Sequence, residues 1–166
     1  MTISIQNTPS SSLKPLKPLY RWAGGKSKLL KSYNPHLPDL NSVSAYVEPF
    51  FGAGALFASV KSTYNQIPTI INDINPELVS LLNTIKHDFE AFCIELQELE
   101  AAYLSIRSHE VRNYRFYQRR EQYWKEQIGS VRASALLLFL MSTGFNGIWQ
   151  VNKKTGRYGT GAGILN

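Results

Sequence analysis

From residue 45 onward, short apolar runs alternate with longer stretches in which apolar residues recur every three or four positions. Ala45–Glu48 and Thr69–Asn72 are too short for helices and are bounded by proline, serine or asparagine, which predicts two strands. Between them, Ala55 to Tyr64 predicts a helix. Asn75-Pro-Glu opens another that runs through Lys86, with Pro76 at the first helical position, where its missing N–H costs nothing. This β-α-β-α order predicts parallel strands in an α/β sheet, since parallel neighbours need a crossover between them.

Beyond Asp88 the period becomes helical throughout. Asp88 to Leu104 predicts an amphipathic helix with Phe89, Phe92, Cys93, Leu96, Leu99 and Tyr103 on one side, and Cys93 on that face reads most simply as core. From Arg107 to Arg132, seven basic residues stand against three acids, a surplus of four, with Tyr114, Phe116, Tyr117, Tyr123 and Trp124 interleaved. Arginines mixed with aromatics suit a surface that grips a nucleic-acid strand, and a solvated helix with an aromatic inner face gives the same letters. An apolar helix is predicted over Val131 to Thr143. After it, two alternating segments joined at Asn152-Lys-Lys-Thr-Gly156 predict a β-hairpin with a basic tip. Such a hairpin can enter a groove, with Gln150 or Asn152 pairing to an adenine edge and Lys153 and Lys154 on phosphates, or it can be an ordinary surface hairpin.

Composition narrows the class. With 166 residues, of which 43% are apolar, the chain has enough material for one domain with a core. Eighteen Lys and Arg against twelve Asp and Glu give a net charge of +6, which suits a polyanionic partner without proving one. Cys93 is the only cysteine, so no internal disulfide can form and a reducing compartment is expected. Residues 1–19 are polar and rich in serine and proline, which predicts a flexible tail rather than a secretion signal, and the longest apolar run, Ala135 to Met141, is too short for a bilayer. A cytoplasmic protein without a membrane partner or a metal site is expected.

The chemistry concentrates around the first strand. Ala45-Tyr-Val-Glu-Pro-Phe-Phe-Gly-Ala-Gly54 is a strand running into a double-glycine turn and a helix, and 19 residues later (73 − 54) the second strand ends at Asp73. Glycines let backbone N–H groups approach a ligand at the mouth of the helix, and an acid on the neighbouring strand can accept hydrogen bonds from ribose hydroxyls. A dinucleotide fingerprint would place a third glycine at position 57, where Phe57 stands, so a phosphate-free nucleoside such as S-adenosylmethionine fits better. A plain tight βα turn is the alternative. Upstream, Tyr20-Arg-Trp-Ala-Gly-Gly-Lys26 resembles half a phosphate-binding loop, but Tyr20 replaces the required first glycine. Trp22 could instead cover an adenine or a methionine chain, and Lys26 could pair with a carboxylate.

Taken in order, R-W-A-G-G-K-S-K-L-L, V-E-P-F-F-G-A-G-A-L-F, I-N-D-I-N-P-E-L, F-Y-Q-R-R-E-Q-Y-W and T-G-F-N-G-I-W-Q-V-N-K-K-T-G resemble the Dam-like (D12 class) DNA adenine-N6 methyltransferases, over roughly Pro18 to Gly156. The resemblance implies an α/β fold: a partial Rossmann-like methyltransferase sheet with an inserted, mainly helical DNA-recognition region and β-hairpin. Residues 20–87 would be the cofactor-binding portion and residues 88–166 the target-recognition region. By the same resemblance Trp22, Lys26 and Asp73 hold S-adenosylmethionine, and the Phe50, Gly52, Gly54 turn lies under its methionine end. Arg120 in the basic helix and Asn152, Lys153 and Lys154 in the hairpin fall in the DNA-binding region. Phe145 and Asn146 would sit beside a flipped base, and Gln150 would occupy the base-reading position. Family members specific for G-A-T-C usually carry arginine at that position and Asn-Arg in place of Met141-Ser142, so that recognition sequence is not carried over.

The family's catalytic D-P-P-Y block should follow the hairpin, yet these residues contain no two adjacent prolines, so no catalytic residue is assigned. In the resembling enzymes that block accepts hydrogen bonds from the adenine amino group and stacks on the flipped base. The expectation is an N-terminal portion of a methyltransferase that transfers a methyl group to adenine in double-stranded DNA only with a complementing C-terminal chain. The alternative is a catalytically inactive DNA-binding fragment.

Overall fold

The computed structural model describes residues 15–22 and 24–163. Most of the expected tail, residues 1–14, lies outside the described residues, while the segment after it reaches the body of the protein, where the Leu16 N–H donates to Ser62 Oγ at 2.9 Å. The described residues form a mixed α/β structure of six helices and one two-stranded sheet. The helices are α1 (Leu30–Tyr33), α2 (Ala55–Thr63), α3 (Pro76–His87), α4 (Phe89–Leu104), α5 (His109–Tyr123) and α6 (Val131–Thr143), and the strands are β1 (Tyr46–Glu48) and β2 (Thr69–Ile71). The strands pair in parallel, Tyr46 opposite Thr69, Val47 opposite Ile70 and Glu48 opposite Ile71, as the β-α-β order requires.

Local chemistry sets the helix starts. The side chains of Asn75, Ser108 and Ser130 accept hydrogen bonds from the first-turn amides of Glu77, Val111 and Ala133, each satisfying one of the donors a helix leaves unpaired. Pro76 sits in the first turn of α3, as predicted.

The core is built around α6, whose Leu136, Leu137, Leu140 and Met141 are essentially inaccessible. A helix that is apolar on nearly every side must be enclosed, and α6 packs against α3, α4 and α5. Leu78 and Leu81 of α3 belong to the same buried cluster as Phe92, Leu99, Phe116 and Tyr123, so one core crosses the boundary expected at 87/88. Between α3 and α6 the buried hydroxyls of Thr84 and Ser134 hydrogen-bond to each other at 2.8 Å, which gives each a partner. Cys93 packs against this core. A smaller cluster of Leu40, Val60 and Ile67 lies beneath Tyr46 of β1, whereas Val47 and Ile70 on the opposite sheet face are 57% and 61% exposed.

The hairpin departs from expectation. Its two arms form no regular strand: they are joined by the isolated antiparallel bridges Val151–Tyr158 and Gly144–Ala162, by the Thr160 hydroxyl donating to the Ile148 carbonyl at 2.6 Å, and by the Trp149 and Tyr158 rings. Two features explain this. Residues Phe145–Gly147 curl into a 3-10 turn before the first arm can extend, and Asn152 Oδ1 accepts from the Lys154 and Thr155 amides at 2.9 and 3.3 Å, closing the tip as a side-chain turn.

Candidate cofactor and DNA site

The turn after β1 is stitched to β2 on both sides. Asn72 N–H donates to the Glu48 carbonyl and Phe51 N–H to the Asn72 carbonyl, both at 2.9 Å. Gly54 adopts φ 69°, in the left-handed region, and a Cβ there would lie 2.8 Å from Phe51 Cε2. Of the adjacent phenylalanines, Phe51 is 7% exposed and locks the turn, whereas Phe50 is 86% exposed and faces a cleft. A buried aromatic three residues before an obligatory glycine was the available signal for Phe51, which the motif reading passed over.

Asp73 closes this turn. Its Oδ2 accepts from Gly52 N–H at 2.8 Å and its Oδ1 from Asn75 N–H at 3.0 Å, so the carboxylate ties the glycine turn to the start of α3. From the other side the buried Tyr20 hydroxyl donates to the Gly52 carbonyl at 2.7 Å. Burial, and secondarily the Asp73 charge, push the Tyr20 phenol well above its ordinary pKa, so it stays a donor at neutral pH. Trp22 stands over the turn, with Cδ1 3.4 Å from where a Cβ on Gly52 would sit. Tyr20, a second residue the motif reading missed, thus supports the turn that Trp22 covers.

These parts open onto one cleft of about 1410 Å³. Trp22, exposed Lys26, Phe50, Gly52, Phe145 and Asn146 all line it. Asp73 does not line it; the acid faces a shallower hollow with Asn72, Pro76 and His87. Glu48 does line it, half-buried, accepting from the Tyr46 hydroxyl at 2.7 Å. Burial raises the Glu48 carboxyl above its ordinary pKa, against the lowering effect of the Tyr46 and Phe57 hydrogen bonds. Its place at the end of the strand, just before the turn, was the sequence signal for this third missed residue.

Phe145 and Asn146 are presented by a tight turn. Asn146 at φ 54° and Gly147 at φ 62° are consecutive left-handed residues, and Ile148 N–H closes the turn on the Phe145 carbonyl at 3.2 Å. Asn-Gly is the strongest short signal for such a turn. Gly147 also lets the loop press on its neighbours, since a Cβ there would lie 3.1 Å from Arg21 Cβ and 3.2 Å from the Met141 carbonyl.

The remaining candidates lie away from the cleft. Gln150 is exposed, and so are Lys153 and Lys154 at the tip, while Asn152 spends its side-chain oxygen on that tip. Arg120 is half-buried between the rings of Tyr117 and Trp124, at 4.7 and 4.9 Å, and its Nη1 donates to the Thr160 carbonyl at 3.0 Å. Its guanidinium therefore fastens α5 to the returning arm of the hairpin. Trp124 Nε1 adds a bond to the Tyr158 carbonyl at 3.1 Å. Beside them Arg119 has its pKa lowered, chiefly by burial and secondarily by the charges of Arg132 and Arg115. Arg132 also pairs with Glu95.

The family described as D12 class N6 adenine-specific DNA methyltransferase matches residues 22–162. The chain belongs to this family. It is 33% identical over 144 residues to the type II methyltransferase M.MjaIII of Methanocaldococcus jannaschii, covering 84% of this chain and 50% of that protein. It is 34% identical over 141 residues to the DNA adenine methylase of Escherichia coli, covering 84% and 45%. The DNA adenine methylase of Haemophilus influenzae is 30% identical over 146 residues, covering 86% and 47%. The chain thus spans about half the length of the curated relatives it matches. Among the described residues no helix is long and apolar enough to cross a membrane.

Proposed function

We propose that these residues are the cofactor-binding and target-recognising portion of an S-adenosylmethionine-dependent DNA adenine-N6 methyltransferase acting on duplex DNA in the cytoplasm. The observation that carries this reading is the convergence of the Trp22 loop, the Phe50–Gly54 turn and the Phe145–Asn146 turn on one cleft. Pockets for a single drug-sized ligand run to roughly 300–1,000 Å³. A cleft of about 1410 Å³ has room for an adenosyl ligand and an extruded base together.

The lining suits such a ligand. Trp22 and Phe50 supply aromatic surface, Glu48 a carboxylate for an ammonium group, and the amides at the bend contact without a phosphate cradle. Asp73 holds the bend in shape from the hollow beside the cleft, and the lone pair left on each oxygen would serve a ribose hydroxyl only where the ligand extends past the bend toward that hollow. When bound, S-adenosylmethionine would supply the electrophilic methyl group. Phe145 would stack on the base, and Asn146 would contact the strand beside it. Gln150, Lys153 and Lys154 would read and grip the duplex, with Arg120 holding their hairpin in place. In this reading β1 and β2 belong to a Rossmann-like sheet, residues 20–87 form the cofactor portion and residues 88–166 the recognition portion. Orienting the adenine amino group requires a D-P-P-Y turn supplied in addition to these residues, as from a complementing C-terminal chain.

The test is calorimetric titration with S-adenosylhomocysteine. The folded chain should bind it, Trp22→Ala and Gly52→Val should abolish or strongly weaken binding, and Lys153→Ala should leave it unchanged. Methyl transfer to duplex DNA should then appear when the C-terminal half of a relative is added. A folded chain that ignores the analogue at every concentration refutes the proposal. The surplus of basic residues from Arg107 to Arg132 favours a second reading, a DNA-binding fragment without chemistry. Binding that falls steeply with salt and is indifferent to the analogue would select it.

A further inference from the structure

A chain of aromatic rings runs from the glycine turn to the recognition helix. Tyr20 meets Trp22 edge-on with centroids 6.2 Å apart, and Trp22 stacks on Trp149 at 6.5 Å with 21° between the planes. Trp149 leans on Tyr158 at 5.2 Å, and Tyr158 meets Tyr123 of α5 edge-on at 6.3 Å. Both ends are anchored. Tyr20 is buried and bonded to Gly52, while Tyr158 and Tyr123 are buried and the Tyr158 hydroxyl donates to the Leu140 carbonyl at 3.3 Å. Only the middle pair, Trp22 and Trp149, is partly exposed.

The pair joins two parts with different tasks. Trp22 covers Gly52 and lines the cleft, whereas Trp149 lies between the Phe145–Ile148 turn and exposed Gln150. The hairpin arms form no continuous ladder: two isolated bridges, the Thr160 hydroxyl on the Ile148 carbonyl and the Trp149–Tyr158 contact hold them to each other. Arg120 and Trp124 clamp the returning arm to α5, and the indole stack, together with Gly147 against Arg21, joins the outgoing arm to the Trp22 loop. A ligand that orders Trp22 therefore orders the hairpin, and a ligand that orders the hairpin orders Trp22, because linkage is reciprocal.

We infer that Trp149 is a positioning residue that couples the cleft to the hairpin through its stack on Trp22, so that an adenosyl ligand and duplex DNA each tighten binding of the other. The inference rests on the cleft being the adenosyl site. It assigns Trp149 no contact with either ligand.

The test uses the full chain, S-adenosylhomocysteine and a labelled mixed-sequence duplex followed by fluorescence anisotropy. In the unaltered chain, saturating analogue should tighten duplex binding about five-fold or more, the lower end of ordinary coupling. Trp149→Phe, which keeps an aromatic face, should retain most of that factor, and Trp149→Ala should bring it to about one. A factor unchanged in Trp149→Ala, or a factor near one in the unaltered chain when both ligands bind, overturns the inference. A second measurement needs no destabilising variant. Stacked indoles give a far-ultraviolet exciton couplet, which should be lost in Trp149→Phe and should change in the unaltered chain on adding the analogue. A couplet indifferent to saturating analogue and duplex also overturns it. Failure of the analogue to bind at all is a different result, one that removes the adenosyl site itself and the coupling with it.

Discussion

Replacing Asp73 with alanine removes the acceptor for two backbone amides at once. Gly52 N–H and Asn75 N–H reach separate oxygens at 2.8 and 3.0 Å. Hydrogen bonds to charged groups contribute roughly 1.5–3 kcal/mol each, and half exposure of Asp73 places them at the low end, so Asp73→Ala should destabilise the fold by about 3 kcal/mol. That is a large share of the roughly 5–15 kcal/mol holding a domain together. Asp73→Asn separates the two bonds. Its amide oxygen can still accept from one N–H, but its NH2 then faces the other donor, so the loss should be about half to two-thirds as large. Urea denaturation followed by circular dichroism gives both values, and hydrogen exchange at the Gly52 amide reports the turn directly. Titration with S-adenosylhomocysteine on the same variants should show affinity falling in step with exchange at Gly52. Weakened analogue binding with stability and Gly52 exchange unchanged would refute the reasoning, because Asp73 would then act by ligand contact alone.

Gly54→Ala should cost roughly 2–5 kcal/mol, combining left-handed strain with collision against Phe51, while Gly24→Ala, equally left-handed but facing open space, should cost only about 1–2 kcal/mol; urea midpoints compare them. Arg120→Lys loses the Nη1 bond to the Thr160 carbonyl and the stacking on two rings, so duplex affinity should fall with the salt dependence unchanged, whereas Lys153→Ala with Lys154→Ala should reduce the salt slope by about two; anisotropy over a salt series distinguishes them. Glu48 and Glu77 are both raised above the ordinary carboxyl pKa, chiefly by burial, with the Tyr123 hydroxyl opposing the shift at Glu77. An acid raised in the folded state adds stability below its unfolded pKa and loses it as pH rises through the folded value. Combined Glu48→Gln and Glu77→Gln should therefore flatten that decline, read as urea midpoint against pH from the ordinary glutamate value upward.

Elements with strong periodicity were legible in the sequence. The apolar letters of α6 demanded enclosure, and Asn75-Pro76 announced a helix start, where the structure uses the Asn75 side-chain oxygen as the cap. The strands were legible to within a residue at each end, since short apolar runs punctuated by proline and asparagine have few alternatives. The hairpin was legible only as a reversal. Alternating letters predicted arms, but Asn152 turned its side chain on its own backbone and Asn146-Gly147 added a turn inside the first arm, and both moves remove residues from a ladder.

The site was legible as parts and not as an arrangement. Trp22, the Phe50–Gly54 turn and Phe145–Asn146 each carried a local signal, but their meeting depends on Tyr20 reaching Gly52 across 32 positions and on Gly147 seating its loop against Arg21. Neither contact leaves a periodic trace, because each is a single small residue or hydroxyl where two backbones approach. The same reasoning explains Asp73. An acid ending a strand near a glycine turn reads as a ligand for ribose, and in the structure its first partner is the turn itself. The two uses do not compete, since each carboxylate oxygen accepts more than one bond. A carboxylate held rigid by two backbone amides is already oriented before any hydroxyl arrives, which lowers the ordering cost of binding. The backbone bonds that at first look like a structural substitute for cofactor binding are thus what would make Asp73 effective at it.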